Sequence, residues 1–410
     1  MRHKKSNLLS LAILILAGIF CAVTTINSQS LAQHNNVKTS SKTKAVSKKY
    51  SPGLKAFYKP GKADKITKLA KFEPTKLFAI KNVGLGFVEH PNNYSVWLTG
   101  ALKIEKAGEY EFTLGSDDPA VLYIDGKQVA KCTRRRFFNM QSGKIKLTAG
   151  YHKIKISYIN RGGRALLHLY YKLGKNDRQA IPTSWFYREN ARNFAKKLKL
   201  SNPVDPRKKV VVKVDISKSP GSEKLAKQIE KMIHKTYPKV IKLLVKDDFQ
   251  VPSHIFVEVH KKLKYPAAAM GNKLFINANW LKRFPGDIGM IAHELAHVVQ
   301  AHPGYKFWIC EGTADYIRYE MGYITWWSYP RCVPGKSSYK RGYGEAAAFL
   351  KWIEKTYDKH LIRKLNKALR EQTYNDKLFV KLTKKNIGQL WEEFIEHVKK
   401  NPLPVPKRKK

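Results

Sequence analysis

The segment that most restricts what this chain can become is Ile291-Ala292-His293-Glu294-Leu295-Ala296-His297-Val298-Val299-Gln300. Residues four apart on a helix lie one above the other, so a helical reading brings the imidazoles of His293 and His297 to one point. Ile288, Met290, Ile291, Leu295, Val298 and Val299 surround the polar pair with apolar cover, the pattern of a buried helix. Polar groups inside such a helix cost free energy unless something pairs with them. A metal ion does so, and Glu294 can reach a water on the same ion, as a general base must. A catalytic zinc site takes a third protein ligand and keeps one position open. Glu311 is placed to supply that ligand. The first helix finishes, the chain turns at His302-Pro303-Gly304, and a second helix returns with Glu311 in its first turn and Asp315 one turn further on. Asp315 then reads as the partner of a ligand histidine's free ring nitrogen; a surface or capping role fits it nearly as well. Asp287 reads as the N-cap of the first helix.

The stretches His293 to Gln300, Trp308 to Tyr316, Tyr339 to Tyr343 and Ala346 to Trp352 together resemble the basic secretory protein family of plants and bacteria. The resemblance covers about Val210 to Val398. It implies a zincin-like metallopeptidase of the glutamate-zincin kind, acting on protein or peptide. It also implies His293, His297 and Glu311 as zinc ligands, Glu294 as base, and a strand before the metal helix as the upper rim of the cleft. A developing oxyanion needs a donor besides the metal, and Tyr343 or Tyr339 could be that donor. Packing among Trp326, Trp327 and Trp352 is the other reading of both tyrosines.

Residues 1–32 read as a secretory signal, with basic Arg2, Lys4 and Lys5, an apolar run from Leu8 to Val23, and an exit at Ser30-Leu31-Ala32. That run is shorter than the roughly 20 residues of a membrane span. Cleavage near Ala32 implies a secreted, periplasmic or cell-surface protein. The formal charge of +47 first brings nucleic acid to mind, but an exported chain seldom meets it, and the lysines are spread along the whole length. Anionic polysaccharide, anionic lipid head groups or acidic peptides fit better, and a solubilising surface fits equally. After the signal, Cys132, Cys310 and Cys332 remain. A Cys310–Cys332 disulfide would pin the Glu311 helix and stabilise by roughly 3 kcal/mol through loop closure; two buried free thiols are the alternative.

Residues 33–52 lack apolar periodicity and read as a disordered linker. From residue 53 to 188, short alternating segments such as Tyr94 to Thr99, Gly108 to Leu114 and His152 to Tyr158 argue for an antiparallel β-sandwich. Gly115-Ser116-Asp117-Asp118-Pro119, Tyr123 to Lys127, Leu147 to His152 and Tyr170-Tyr171 resemble the protective-antigen-type sandwich domain. In its sugar-binding members an adjacent aspartate pair holds calcium, which implies a calcium or sugar site at Asp117 and Asp118. Both could instead be plain turn residues, as Asp125-Gly126 is in a hairpin. The run Arg134 to Arg136 reads as a solvated edge or as a face for an acidic partner.

Residues 189–209 read as a linker broken by Pro203 and Pro206. In the second domain, residues 210–400, strands are expected at Val210 to Ile216, Ile255 to Val259 and Lys273 to Asn277. Helices are expected from about Ser222 to Leu244, Gly344 to Tyr357, Leu361 to Gln372 and Asn386 to Lys399. A basic tail, 401–410, ends the chain. The expected architecture is therefore multidomain, an N-terminal all-β sandwich followed by an α+β zincin-like metallopeptidase domain. Its favoured function is a secreted zinc peptidase whose sandwich binds glycans. The rival is a carbohydrate-binding surface protein with a silent zincin-like domain. A purely structural zinc site would show a fourth ligand.

Overall fold

A computed structural model describes residues 49–62, 73–133, 137–190, 198–246, 249–325 and 329–403. The signal segment, most of the expected first linker, Arg134 to Arg136, Trp326, Trp327 and most of the basic tail lie outside the described residues. Residues 49–51 and 189–190 belong to one compact unit, in which the Asn190 N–H donates to the Lys49 carbonyl at 2.8 Å. The other unit spans Pro52–Arg188 and Ala195–Lys410 and holds a sandwich domain and a mixed α/β domain.

Alternation builds the sandwich. In Gly108–Ser116, Tyr110, Phe112 and Leu114 are at most 1 % exposed, whereas Glu109 lies at the surface. This strand sits in a sheet ordered Gln179–Ala180, Leu167–Leu173, Gly108–Ser116, Asn139–Leu147. The facing sheet is built on Tyr94–Ile104 and Gly150–Asn160, antiparallel and in unbroken register from Tyr94 opposite Asn160 to Ile104 opposite Gly150. Tyr58, Leu98 and Ile156 of that sheet share one core with Tyr110, Phe112 and Leu169 of the other. The Asp125-Gly126 hairpin forms as expected, with φ of 50° and 79° at its two central residues. Part of the stretch read as the second linker is also structured: Leu200–Ser201 pairs in parallel with Leu77 and Phe78.

In the second domain, Val211–Asp215, His254–His260 and Lys273–Asn277 run parallel, and Ala267–Met270 closes the sheet antiparallel to the last of them. Helix α1 (Glu223–Leu244) makes the crossover that a parallel pair requires. Helices α2 (Ala278–Arg283), α3 (Met290–Gln300), α4 (Phe307–Glu320) and α5 (Tyr343–Thr356) follow, then α6 (Leu361–Arg370), α7 (Lys377–Thr383) and α8 (Ile387–Lys400). Ile229, Ile233 and Val240 of α1 pack with Ile255 and Leu274 of the sheet and Ile291 and Leu295 of α3, all fully buried. The edge beside α3 is thus Ala267–Met270, and Lys273–Asn277 lies one strand inside it. Three successive alanines show no alternation, so the edge strand leaves no period-two trace in the sequence. Among the described residues, no helix is long and apolar enough to cross a membrane.

The sandwich is docked on the second domain by backbone as well as side chains. The Ser253 N–H donates to the Gly86 carbonyl at 2.7 Å, and the Tyr170 hydroxyl to the Arg370 carbonyl at 2.9 Å. Gly86 is required there, because a Cβ would lie 2.6 Å from the carbonyl oxygens of Gln250 and Val251.

Candidate metal centre and its cleft

Helix α3 forms because Ile291, Leu295, Val298 and Val299 bury one side of it, all at 3 % exposure or less. That burial leaves His293 and His297 one turn apart, their Nε2 atoms 3.2 Å from each other. The helix ends at Ala301, which adopts the left-handed conformation at φ 46°. Gln300 then ties the two helices together: its Nε2 donates to the Cys310 carbonyl at 2.9 Å, and its Oε1 faces His297 Nδ1 at 2.8 Å. Helix α4 delivers Glu311, with Oε2 3.2 Å from His293 Nε2 and Oε1 3.5 Å from His297 Nε2. It can sit so close to its neighbour because of Gly312, where a Cβ would lie 2.5 Å from Ala346 Cβ on α5.

One ligand atom from each of His293, His297 and Glu311 lies within 4.8 Å of the others. The ring tautomers favour a cation among them. His293 Nδ1 faces Asp315 Oδ1 at 2.7 Å and His297 Nδ1 faces the Gln300 oxygen, so each Nδ1 donates. Both Nε2 atoms then present lone pairs to one another and to the Glu311 carboxylate, an arrangement that repels unless a positive charge joins it. The same preference shows in the ionisation. Burial would depress His293, but Asp315 and Glu311 lift its pKa to about 10. Burial would raise Glu311, but the two histidines hold it below the usual carboxylate range. The donor set, two imidazoles and one carboxylate, suits zinc.

Asp315 stands where the sequence places it, and its Oδ2 accepts from the Tyr319 hydroxyl at 3.1 Å. Glu294 is 8 % exposed, and burial raises its pKa. It lines the same cleft as the three candidate ligands, a cavity of about 1050 Å³. The ring of Tyr343 stacks on His293 at 6.1 Å between centroids, and burial with the nearby acids pushes its hydroxyl up to about 12. Tyr339 is elsewhere: it packs between Trp308, Phe349 and Trp391, so of the two candidate tyrosines only Tyr343 reaches the cleft. Sequence reasoning missed Tyr305, whose hydroxyl donates to Glu311 Oε1 and which lines the cleft at the turn between α3 and α4. It stands alone in an irregular turn, so no periodicity marks it.

Two expectations are corrected. Cys310 and Cys332 are not bridged; all three described cysteines are free and buried. Cys310 Sγ faces inward to His302 Nδ1 at 3.2 Å, and Cys332 lies beside Ser337, so neither thiol faces the other. Asp287 is not the cap of α3. Its carboxylate is committed to the Arg318 guanidinium and to Trp280 Nε1, and α3 starts from a 3-10 turn with no side-chain cap.

Asp117 and Asp118 are not among the residues that line this cleft and are 2 % and 0 % exposed. They accept backbone N–H groups from one loop: Leu166 donates to Asp117 Oδ1 at 2.9 Å and Arg161 to Asp118 Oδ2 at 3.1 Å. Asp117 Oδ2 is buried without a hydrogen-bond partner, and burial raises the Asp117 pKa to about 7.

Residues 207–394 match the family described as peptidase of plants and bacteria. The chain carries a peptidase-family domain. Residues 50–185 match the PA14 domain, so the layout is a mostly-β PA14-like domain followed by a mixed α/β peptidase-family domain. No curated protein matches the chain. Among solved structures, it is similar to an anti-sigma factor domain-containing protein from Clostridium clariflavum at 22% identity, covering 36% of this chain and 50% of that one, TM-score 0.31. The PA14 domain of an antifreeze protein matches at 16% identity over 34% of this chain and 92% of its own, TM-score 0.31. The PA14 sugar-binding domain from an RTX adhesin matches at 20% over 33% and 98%, TM-score 0.30. The chain thus spans half the length of the first of these structures.

Proposed function

We propose that this chain is a secreted zinc-dependent metallopeptidase, with His293, His297 and Glu311 as the zinc ligands and Glu294 as the general base. The observation that carries the reading is the meeting of two Nε2 lone pairs and a carboxylate at one point, with a second, buried carboxylate on the wall of the same cleft. Zinc, when bound, would lower the pKa of a water and polarise the scissile carbonyl. Glu294 takes the proton of the attacking water and hands it to the leaving amine, a task suited to a carboxylate whose pKa burial has raised. Asp315 fixes the His293 tautomer so that Nε2 stays free for the ion. Tyr343 and Tyr305 remain protonated at neutral pH and supply hydroxyl donors at the rim, Tyr343 towards the developing oxyanion.

The domain limits that accompany this reading are 53–188 for the PA14 domain and 210–400 for the peptidase domain, after a signal removed near Ala32. The PA14 domain is assigned to glycans or anionic cell-surface polymers, where it would raise the local concentration of protein substrate. Calcium between Asp117 and Asp118 belongs to that assignment, supported by the unpartnered Asp117 Oδ2. The deciding experiment measures zinc content and chelator-sensitive casein cleavage for the unaltered chain and for Glu294→Gln. The variant should keep its zinc while cleavage falls by about 10²–10⁴-fold. Retained cleavage, or no zinc in either protein, rejects the assignment.

A further inference from the structure

The cleft is not closed by the peptidase-family domain alone. Its wall includes Gly163, Arg164, Ala165 and His168 of the PA14 domain. The loop carrying them is held at both ends by the adjacent aspartates, Asp118 through the Arg161 N–H and Asp117 through the Leu166 N–H. Between those anchors the loop meets the hairpin turn that follows the edge strand. A Cβ on Gly271 would lie 3.4 Å from Ala165 N and 3.5 Å from Arg164 Cα. Arg164 also reaches the end of the metal helix, where its Nη1 donates to the His302 carbonyl at 3.4 Å. Its charge acts on the buried Asp117 carboxyl, lowering that group's pKa against the effect of burial, but among the described residues no carboxylate lies within ion-pair distance of it. A guanidinium has five N–H donors in a planar fork matched to a carboxylate, so one long bond leaves most of them for a ligand.

We propose that Arg164 is a specificity residue of the cleft, binding a side-chain carboxylate of the substrate on the amino side of the scissile bond. The proposal rests on the peptidase reading above and names the substrate class of that site, acidic peptides. The direction follows from the edge strand. A peptide adding antiparallel to Ala267–Met270 has its amino-terminal residues at the Met270 end, which is where Arg164 stands. The aspartate pair, expected to hold calcium for sugar binding, thereby acquires a role at the peptidase site: it sets the position of the loop that presents Arg164.

The test measures binding, so that it does not depend on turnover. Two fluorescein-labelled octapeptides, identical except for glutamate or glutamine on the amino side of the central bond, are titrated by anisotropy into the zinc-loaded full chain carrying Glu294→Gln. The glutamate peptide should bind about tenfold more tightly, the worth of one charge-assisted pair in a partly dry cleft. Adding Arg164→Ala should bring the two affinities within about twofold by removing that pair, and Arg164→Glu should favour the glutamine peptide, each with an unchanged melting temperature. Equal affinities before substitution, no binding of either peptide, or a preference that survives Arg164→Ala overturns the proposal. If casein is not cut by the unaltered chain while the affinity gap and its Arg164 dependence stand, the hydrolase reading fails and the carboxylate site remains.

Discussion

Among the described residues, two carboxylate clusters are buried in this unit, and their surroundings differ. Glu311 and Asp315 are 6 % and 4 % exposed, and Asp117 and Asp118 are 2 % and 0 % exposed, so burial does not separate them. What separates them is what stands opposite. At the candidate metal centre Glu311 faces the Nε2 atoms of both histidines, and a shared positive charge, a proton on His293 or a metal ion, reconciles two Nε2 atoms and a carboxylate at one point. At the aspartate pair the acids face backbone N–H groups of the 161–166 loop, which satisfy two of the oxygens within the chain itself. Imidazole nitrogens converging on one carboxylate leave a place for a shared cation, whereas backbone N–H groups hold a carboxylate as an anchor and here leave Asp117 Oδ2 as the oxygen without a partner.

The sharpest way to break that contrast is to remove a ligand. Glu311→Ala should abolish stoichiometric zinc binding and casein cleavage together, because two histidines alone leave the ion under-coordinated; metal analysis of the purified chain reads the first and a chelator-controlled assay the second. Zinc retained at full stoichiometry would mean that Glu311 is not a ligand. Asp315→Asn should be milder. It keeps the shape but weakens the hold on His293 Nδ1, and a loss of about 10–100-fold in zinc affinity is expected for a partner of this kind. Competition with a chromophoric chelator measures it.

Next in size is a packing change that leaves every ligand in place. Gly312→Ala forces a methyl against Ala346, and overpacking of this sort costs about 1–3 kcal/mol. Denaturant unfolding should show that loss, and zinc affinity should drop as well, because the strained contact lies one residue from Glu311. A variant as stable as the parent and equally tight for zinc would show that α4 and α5 can part without moving the ligand.

The candidate metal centre was legible in the sequence because helical spacing converts directly into geometry. His293, Glu294, His297 and Asp315 needed only the 3.6-residue period, and Glu311 only a turn of the right length. The sandwich was legible by alternation in strands such as Gly108–Ser116. Elements without a period were not. Ala267–Met270 has no alternating side chains, Tyr305 lies in an irregular turn, and Arg164 acts across a domain junction formed by residues far apart in the chain. Cys310 and Cys332 misled because proximity in sequence says nothing of which way a thiol on a helix faces. Asp287 misled for a related reason: a long-range partner, Arg318, outcompeted the local cap.

The smallest expected effect tests the other half of the contrast. Burial raises the Asp117 carboxyl from an ordinary 3.8 to about 7 in the folded chain. Between those values the native state holds a proton that the unfolded chain has released, so stability is full below about pH 4 and is lost as pH rises through 7. Asp117→Asn keeps the Oδ1 acceptor for Leu166 and has no proton to lose. Its melting temperature should therefore decline less than the parent's between pH 4 and pH 8 and lie a few degrees above it at pH 8, by calorimetry in a calcium-free buffer. Millimolar calcium discriminates the two roles of the pair. If Asp117 is only an anchor, calcium leaves both curves where they are. If it also binds a cation, calcium favours the ionised carboxyl, removes the parent's decline and leaves the variant unmoved, and the aspartate pair then joins the metal centre as a cation site.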